Sequence, residues 1–432
     1  MLNERFSLKN SGCSNGVHGA ALPRHRWYRV KESFSPALVE AAIGELQDPE
    51  NARVVDPFSG SGTTVVTCAL RGQAAVGMEL NPFLAFVSRA KLARASRKAL
   101  LAGAKEIRTT VQRGRKSRLE GVSTFTERPG LKKWLFNTPI SRSFEGGWRA
   151  SAALRPNIRR LVRLALFGAA MDTCNATRDG KCLRYRADWI DRDFGRRDFL
   201  AALDARVESM GEDLTRAPRG LTRAPIRVGD SRKLTRSLEK NAFELCVTSP
   251  PYLNSFDYSD IYRPELFLGG YVESNAELMS LRMRTIRSHV QAKWKRPQRS
   301  DFGPLFRECA SRVEERKEHL WDTRIPLMIR AYFEDLDGLL RSLYAAASPG
   351  AVVWLVVSTS AYAGVEIPVD LILAEIGTRT GWRLREVGVL RYMRTSGQHW
   401  ARWAGEPGMR PQLRESAVIL EKFVPHSRRR RR

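Results

Sequence analysis

The chain has 432 residues, with 73 lysines and arginines against 46 aspartates and glutamates, a net charge of +27. That length allows a catalytic core with one or two accessory pieces, and 43% hydrophobic residues suffice to bury it. No run of about 18 apolar residues occurs, and "MLNERFSLKNSGCSNG" holds no apolar leader, which argues against a membrane span and sets the expectation of a cytoplasmic, nucleoid-associated protein.

From residue 53 the chain alternates strand and helix signals. "RVVDPF" (53–58) reads as a buried strand, "SGSG" as a tight turn, "TTVVTCALR" (63–71) as a helix and "AAVGMEL" (74–80) as a second strand. "NPFLAFVSRAKLARAS" (81–96) follows as a helix capped by Asn81. Residues 97–220 are mostly helical in pattern and very basic, "RPNIRRLVRLALFGAAM" (155–171) being the clearest amphipathic piece. Strand signals return at "IRVGD" (226–230) and "FELCVTSPP" (243–251), and residues 259–325 are again helical and charged. A helix, "MIRAYFEDLDGLLRSLYAAA" (328–347), precedes the strand "AVVWLVVS" (351–358), and "PVDLILAEIGTRT" (368–380) reads as the next helix. "WRLREVGVLRYM" (382–393) and "ESAVILEKF" (415–423) have no helix between them and are expected to pair antiparallel at the sheet edge.

Strands separated by helices imply a parallel, doubly wound sheet. The expected fold is α/β, a Rossmann-like seven-stranded sheet with helical basic insertions. Its parts are residues 24–96 and 221–258, interrupted by 97–220, then 326–424 after a second insertion at 259–325. A basic tail occupies 425–432.

The six cysteines form no C-x-x-C pair and the six histidines are scattered, so neither a metal site nor a disulfide framework is expected. Most of the basic residues are arginine, which suits bidentate phosphate and base-edge contacts. A nucleic-acid partner is expected over the plainer alternative, an arginine-rich codon bias.

"VVDPFSGSGTT" sets Gly60 and Gly62 in a turn between strand and helix. Glycine permits positive φ and lets a ligand approach the backbone closely. The G-x-x-x-x-G-K-[ST] and G-x-G-x-x-G patterns are both absent. Glu79 ends the second strand, where a carboxylate can bind ribose hydroxyls, and Asp230 ends a third, within reach of an adenine amino group. Three such strand ends on one edge make a nucleoside crevice.

"TSPPY" stops a strand sharply, because proline lacks the ladder's donor. An exocyclic amine, the acceptor in the DNA amino-methyltransferases that this segment resembles, is a poor nucleophile, its lone pair being delocalised into the ring. A Ser249 oxygen and a backbone carbonyl held by Pro250 and Pro251 can accept its N–H bonds, and Tyr252 can stack on a base taken out of the helix. No Pro-Cys dipeptide occurs, which disfavours attack at cytosine C5. "TRDGKCLRYRADW" (177–189) interleaves Arg178, Lys181, Arg184 and Arg186 with Tyr185 and Trp189, a pattern suited to phosphate or single-strand contact.

Together "DPFSGSGTT", "GMELNP" and "TSPPY", with "RWYRVKESFSPALVEAAI" (26–43) upstream, resemble the motifs of S-adenosylmethionine-dependent DNA amino-methyltransferases. The resemblance covers the sheet and its flanks and implies a methyltransferase fold. It also implies that Phe34, Pro36, Asp56, Pro57, Phe58, Gly60, Gly62, Thr63, Thr64, Glu79, Asn81, Pro82, Asp230 and Thr248 serve the cofactor. Ser249, Pro250, Pro251 and Tyr252 would take the target base. The Ser-Pro-Pro form points to cytosine N4 in double-stranded DNA, with a cognate restriction endonuclease as a further candidate partner. Adenine N6, guanine N2 of RNA, and a non-catalytic DNA-binding role on the same core remain the alternatives. The large insertion lies between Glu79 and Asp230 and a second follows Tyr252, so either is a candidate for reading DNA.

Overall fold

The computed structural model describes residues 2–6, 13, 18–30, 32–179, 182–216, 221–253, 257–393 and 413–423. Lys181, residues 394–412 and the basic tail therefore lie outside the described residues.

Twelve strands are described: β1 (Leu2–Asn3), β2 (Val54–Asp56), β3 (Ala75–Glu79), β4 (Ala176–Asp179), β5 (Cys182–Tyr185), β6 (Ile226–Val228), β7 (Phe243–Thr248), β8 (Ala347–Ser358), β9 (Ser360–Tyr362), β10 (Val365–Ile367), β11 (Trp382–Tyr392) and β12 (Arg414–Lys422). Eight of them form one sheet in the order β1-β11-β12-β8-β7-β2-β3-β6. From β8 to β6 neighbouring strands are parallel. β12 runs antiparallel between β8 and β11, the pairing expected for the last two strands. The seven strands expected from the sequence are all present. The addition is β1, two residues parallel to β11, where the Asn3 amide donates to Glu386 at 2.7 Å.

The central strands read as unbroken apolar runs because both faces are covered. Ala351 to Val357 in β8 are all buried. Helices α1 (Pro36–Gly44) and α2 (Thr63–Leu70) pack on one face of the sheet. The other face carries α13 (Ile325–Ala346) and α14 (Val369–Arg379), backed by α12 (Pro304–Glu315). On either side of β2 the chain winds in opposite directions, toward β3 and β6 on one side and β7 and β8 on the other. The switch point therefore falls between β2 and β7, where the strand ends diverge and leave a crevice.

The first insertion has its own core. It comprises α4 (Arg97–Arg113), α5 (Thr138–Ala150), α6 (Pro156–Asp172) and α7 (Arg196–Arg216), with Leu100, Ile107, Phe144, Leu161 and Phe199 all buried. It joins the sheet through α3 (Pro82–Lys91), where the Phe83 and Phe167 rings meet edge-on at 4.9 Å. The β4–β5 hairpin departs from the helical expectation. Its four-residue strands are too short to show a period. The second insertion holds α9 (Tyr258–Ile261), α10 (Arg263–Leu268) and α11 (Asn275–Arg282), but 283–303 is irregular. α8 (Ser231–Leu234) is a single turn after β6. Among the described residues no helix is long and apolar enough to cross a membrane.

Candidate active site

Asp56 ends β2 with its carboxyl buried. One oxygen accepts from the Thr248 hydroxyl at 2.6 Å and from the Phe58 amide at 3.0 Å. Burial pushes its pKa up to about 6. The bond clamps the ends of β2 and β7 together at the switch point, and beyond it the two chains part. Thr64, on the first turn of α2, adds a second stitch by donating to the Val247 carbonyl at 3.1 Å.

The glycine turn crosses the gap. Gly60 (φ +51°) opens on free space: a Cβ there would find nothing nearer than the Phe58 carbonyl at 3.9 Å. Gly62 (φ +89°) is different, since its Cβ would stand 2.8 Å from the Ser88 hydroxyl of α3. Ser88 in turn donates to the Gly60 carbonyl at 2.8 Å. One glycine borders the crevice; the other lets two helices approach.

Glu79, at the end of β3, holds the turn from the far side. Its two oxygens accept from the Gly60 and Asn81 amides, each at 2.7 Å. Burial pushes this carboxyl up to about 7. Asn81 caps α3 through the Phe83 amide at 3.0 Å, with Pro82 at the first helical position. Asp230 caps α8 and pairs with the Arg232 guanidinium at 2.9 Å. Arg232 also reaches Asp335 at 2.9 Å, and Asp335 pairs with Arg287 at 2.7 Å. Alternating charges thus tie the third strand end to α13 and the second insertion.

After β7 the chain turns through Ser249, Pro250 and Pro251. Tyr252 donates to Glu415 of β12 at 2.8 Å, and Arg391 of β11 donates to the other Glu415 oxygen at 2.8 Å. Burial and the neighbouring carboxylate push the phenol well above its usual range. The opposite wall comes from Tyr262, whose hydroxyl donates to Glu32 at 2.9 Å.

Among these groups lies one pocket of about 330 Å³. It brings together Phe34, Phe58, Gly60, Thr63, Glu79, Asn81 and Asp230 with Ser249, Pro250, Pro251 and Tyr252. Asp56, Pro57, Gly62, Thr64, Pro82 and Thr248, also expected to serve the cofactor, do not line this pocket; the bonds above show Asp56, Thr64 and Thr248 bracing its floor. The Pro57 carbonyl accepts from Ser231. Pro36 lines a smaller recess next to the pocket.

The basic hairpin requires a correction. Arg178 points inward: its side chain is 15% exposed, pairs with the buried Glu265 and lies 4.7 Å from the centre of the Tyr262 ring. Arg186 donates to the Cys174 carbonyl at 2.9 Å just beyond α6, so it anchors the hairpin. Arg184 is exposed.

The sequence reading missed Glu32, Tyr262, Arg391, Glu415 and His289, all of which line the pocket. His289 is 2% exposed, its ring nitrogens lack a well-formed hydrogen bond, and burial pulls it down to about 4. No local pattern marks these residues, because the sheet order and the insertion bring them to the site.

Three comparisons bear on this geometry. The family described as DNA methylase, of the N6/N4 type, matches residues 9–87. The type II methyltransferase M.AvaI of Nostoc sp. is 26% identical over 413 residues, covering 85% of this chain and 81% of its own. The type II methyltransferase M.BsoBI of Geobacillus stearothermophilus is 24% identical over 447 residues, covering 92% and 85%. Among solved structures, an rRNA methyltransferase, aviRa from Streptomyces viridochromogenes, aligns loosely over 91% of this chain and 88% of its own, with 13% identity and a TM-score of 0.32.

Proposed function

We propose that this chain, which is similar to DNA amino-methyltransferases, transfers the methyl group of S-adenosylmethionine to the exocyclic N4 of cytosine in double-stranded DNA, after the base has left the helix. The observation that carries this reading is the meeting of Gly60, Glu79 and Asp230 with Ser249 to Tyr252 in one pocket at the switch point. The type II designation of the relatives supports a restriction–modification role, with a cognate endonuclease as partner.

The pocket fits the cofactor. Gly60 leaves room for a ligand against the backbone. Each Glu79 oxygen has one backbone donor and a lone pair left for a ribose hydroxyl. Asp230 Oδ2 has one donor and can accept from an adenine amino group. Bound S-adenosylmethionine supplies a methyl group on an activated sulfonium. The protein's task is then alignment. Ser249 and a carbonyl of the Pro-Pro turn accept the N–H bonds of the target amine, turning its lone pair toward the methyl group. Tyr252, tethered to Glu415, offers its ring face to the extruded base. Ser249, where the family's adenine enzymes more often carry Asp or Asn, favours cytosine.

On the DNA side, β5 packs against α9, which follows the Pro-Pro turn, so the hairpin bearing Arg184 sits beside the base-accepting end of the pocket. We assign duplex contact to this face, with Arg184 as a phosphate ligand. A direct test is tritium transfer from methyl-labelled cofactor to plasmid DNA and, in parallel, to ribosomal RNA. Incorporation into DNA alone is expected; incorporation into RNA alone would replace the reading.

A further inference from the structure

Lys91 is the last residue of α3, only 2% exposed, and no described residue gives its ammonium a hydrogen bond or a carboxylate partner. It lines a recess of about 20 Å³ together with Phe34, Ser61 and Thr63, which also line the main pocket. The recess thus lies beside the glycine turn, while Asp230 lines only the main pocket.

A lysine at a helix C-terminus is ordinary, stabilised there by the last carbonyls, but it normally keeps its head in water. Here the C-terminal carbonyls already have a cation. Arg24 donates to the Lys91 carbonyl at 2.6 Å and to the Ala93 carbonyl at 3.0 Å. Asp213, which accepts from the Arg24 amide, is taken up by Arg26 at 2.7 Å and by the Trp27 indole at 2.8 Å. The other ionisable neighbours in the recess are His25, Tyr28 and Arg29, none of them an acid, and burial holds His25 neutral with its pKa pulled down to about 3. Burial alone pulls Lys91 down to about 7. A buried lysine with no carboxylate partner gives up its proton readily and regains it when an anion joins it, so the recess favours an anionic ligand.

We propose that Lys91 binds the α-carboxylate at the amino-acid end of the methyl donor. The inference rests on the cofactor reading above and adds to it a charged anchor supplied by the helix after the Glu79 strand. The ligand class is an adenosyl thioether or sulfonium carrying an α-amino acid, so donor and demethylated product share the contact.

The test is calorimetric and needs no DNA. Wild-type protein is titrated with S-adenosylmethionine and with its decarboxylated form, which lacks only the carboxylate. At least a ten-fold preference for the carboxylate ligand is expected, falling to about two-fold or less in Lys91→Met and Lys91→Gln. Equal preference in wild type and a folded variant would overturn the proposal. A second measurement counts protons. At pH 8, in buffers of different ionisation enthalpy, S-adenosylmethionine should take up more protons on binding wild type than on binding Lys91→Gln, because Lys91 recharges while the ligand's own α-amino group, which titrates near this pH, contributes equally to both. Equal proton uptake by wild type and the variant would also overturn it. If wild type binds neither ligand, it is the cofactor reading that fails.

Discussion

The Tyr252 hydroxyl donates to Glu415 at 2.8 Å, tying the loop after β7 to a strand two places away in the sheet. With Arg391 on the other Glu415 oxygen, the phenol ring is fixed as a wall of the pocket rather than left to swing. Tyr252→Ala removes the stacking face, worth roughly 1–3 kcal/mol per base, and should weaken DNA engagement while cofactor affinity changes little. Tyr252→Phe keeps the face but loses the tether, so it should lower the single-turnover rate more than the affinity for DNA. Single-turnover rates against DNA concentration separate the two. Equal DNA affinity in Tyr252→Ala and wild type would show that the ring does not face the base.

Ser249 carries the other half of the base contact. Ser249→Ala removes one acceptor, and a single hydrogen bond is worth about 0.5–1.5 kcal/mol, so the transfer rate should fall about three- to ten-fold. Both binding steps should be nearly unchanged. A wild-type rate would leave the backbone carbonyls as the only acceptors.

The two glycines of the turn should respond differently. Gly60→Val fills the space beside the backbone and should abolish cofactor binding, as read by calorimetry, with a modest change in melting temperature. Gly62→Ala meets Ser88 at 2.8 Å in a left-handed conformation. Strain of this kind costs about 1–3 kcal/mol, so its main effect should be a lower melting temperature. Reversed outcomes would exchange the roles given to the two residues.

Much of this was legible in the sequence. Buried parallel strands read as apolar runs, and Glu79 and Ser249 were recognisable because each stands at the carboxyl end of such a run, whereas Asp230 follows the short edge strand β6. Gly60 and Gly62 satisfy the same pattern, and only the approach of Ser88, 26 residues beyond Gly62, tells them apart. Glu415 lies 163 residues from Tyr252, and its approach is set by an antiparallel edge that spacing does not encode. Arg178 looked like a phosphate ligand because its neighbours are basic; its partner, Glu265, lies 87 residues away.

Glu79 supplies a pH signature. Its folded pKa, about 7, lies above the usual 4.5. Its contribution to stability is therefore fully present below about 4.5 and lost as pH rises through 7. Glu79→Gln does not ionise. Without ligand, the melting temperature of wild type relative to Glu79→Gln should be less favourable at pH 8 than at pH 5. A gap that widens in favour of wild type at pH 8 would contradict the burial argument.

The net charge of +27 predicts a steep salt dependence of DNA affinity, since each neutralised phosphate releases counterions. Arg184→Ala should weaken binding across sequences and shallow the slope by about one unit. An unchanged slope would place the DNA on another face.

The measurement that tests the central claim most directly is the identity of the modified base. Plasmid incubated with the protein and S-adenosylmethionine is digested to nucleosides and analysed by mass spectrometry. The account predicts N4-methylcytosine, abolished by Gly60→Val and slowed by Ser249→Ala. N6-methyladenine in its place would overturn the cytosine assignment, and no methylated nucleoside under conditions where the cofactor binds would contradict the proposed activity.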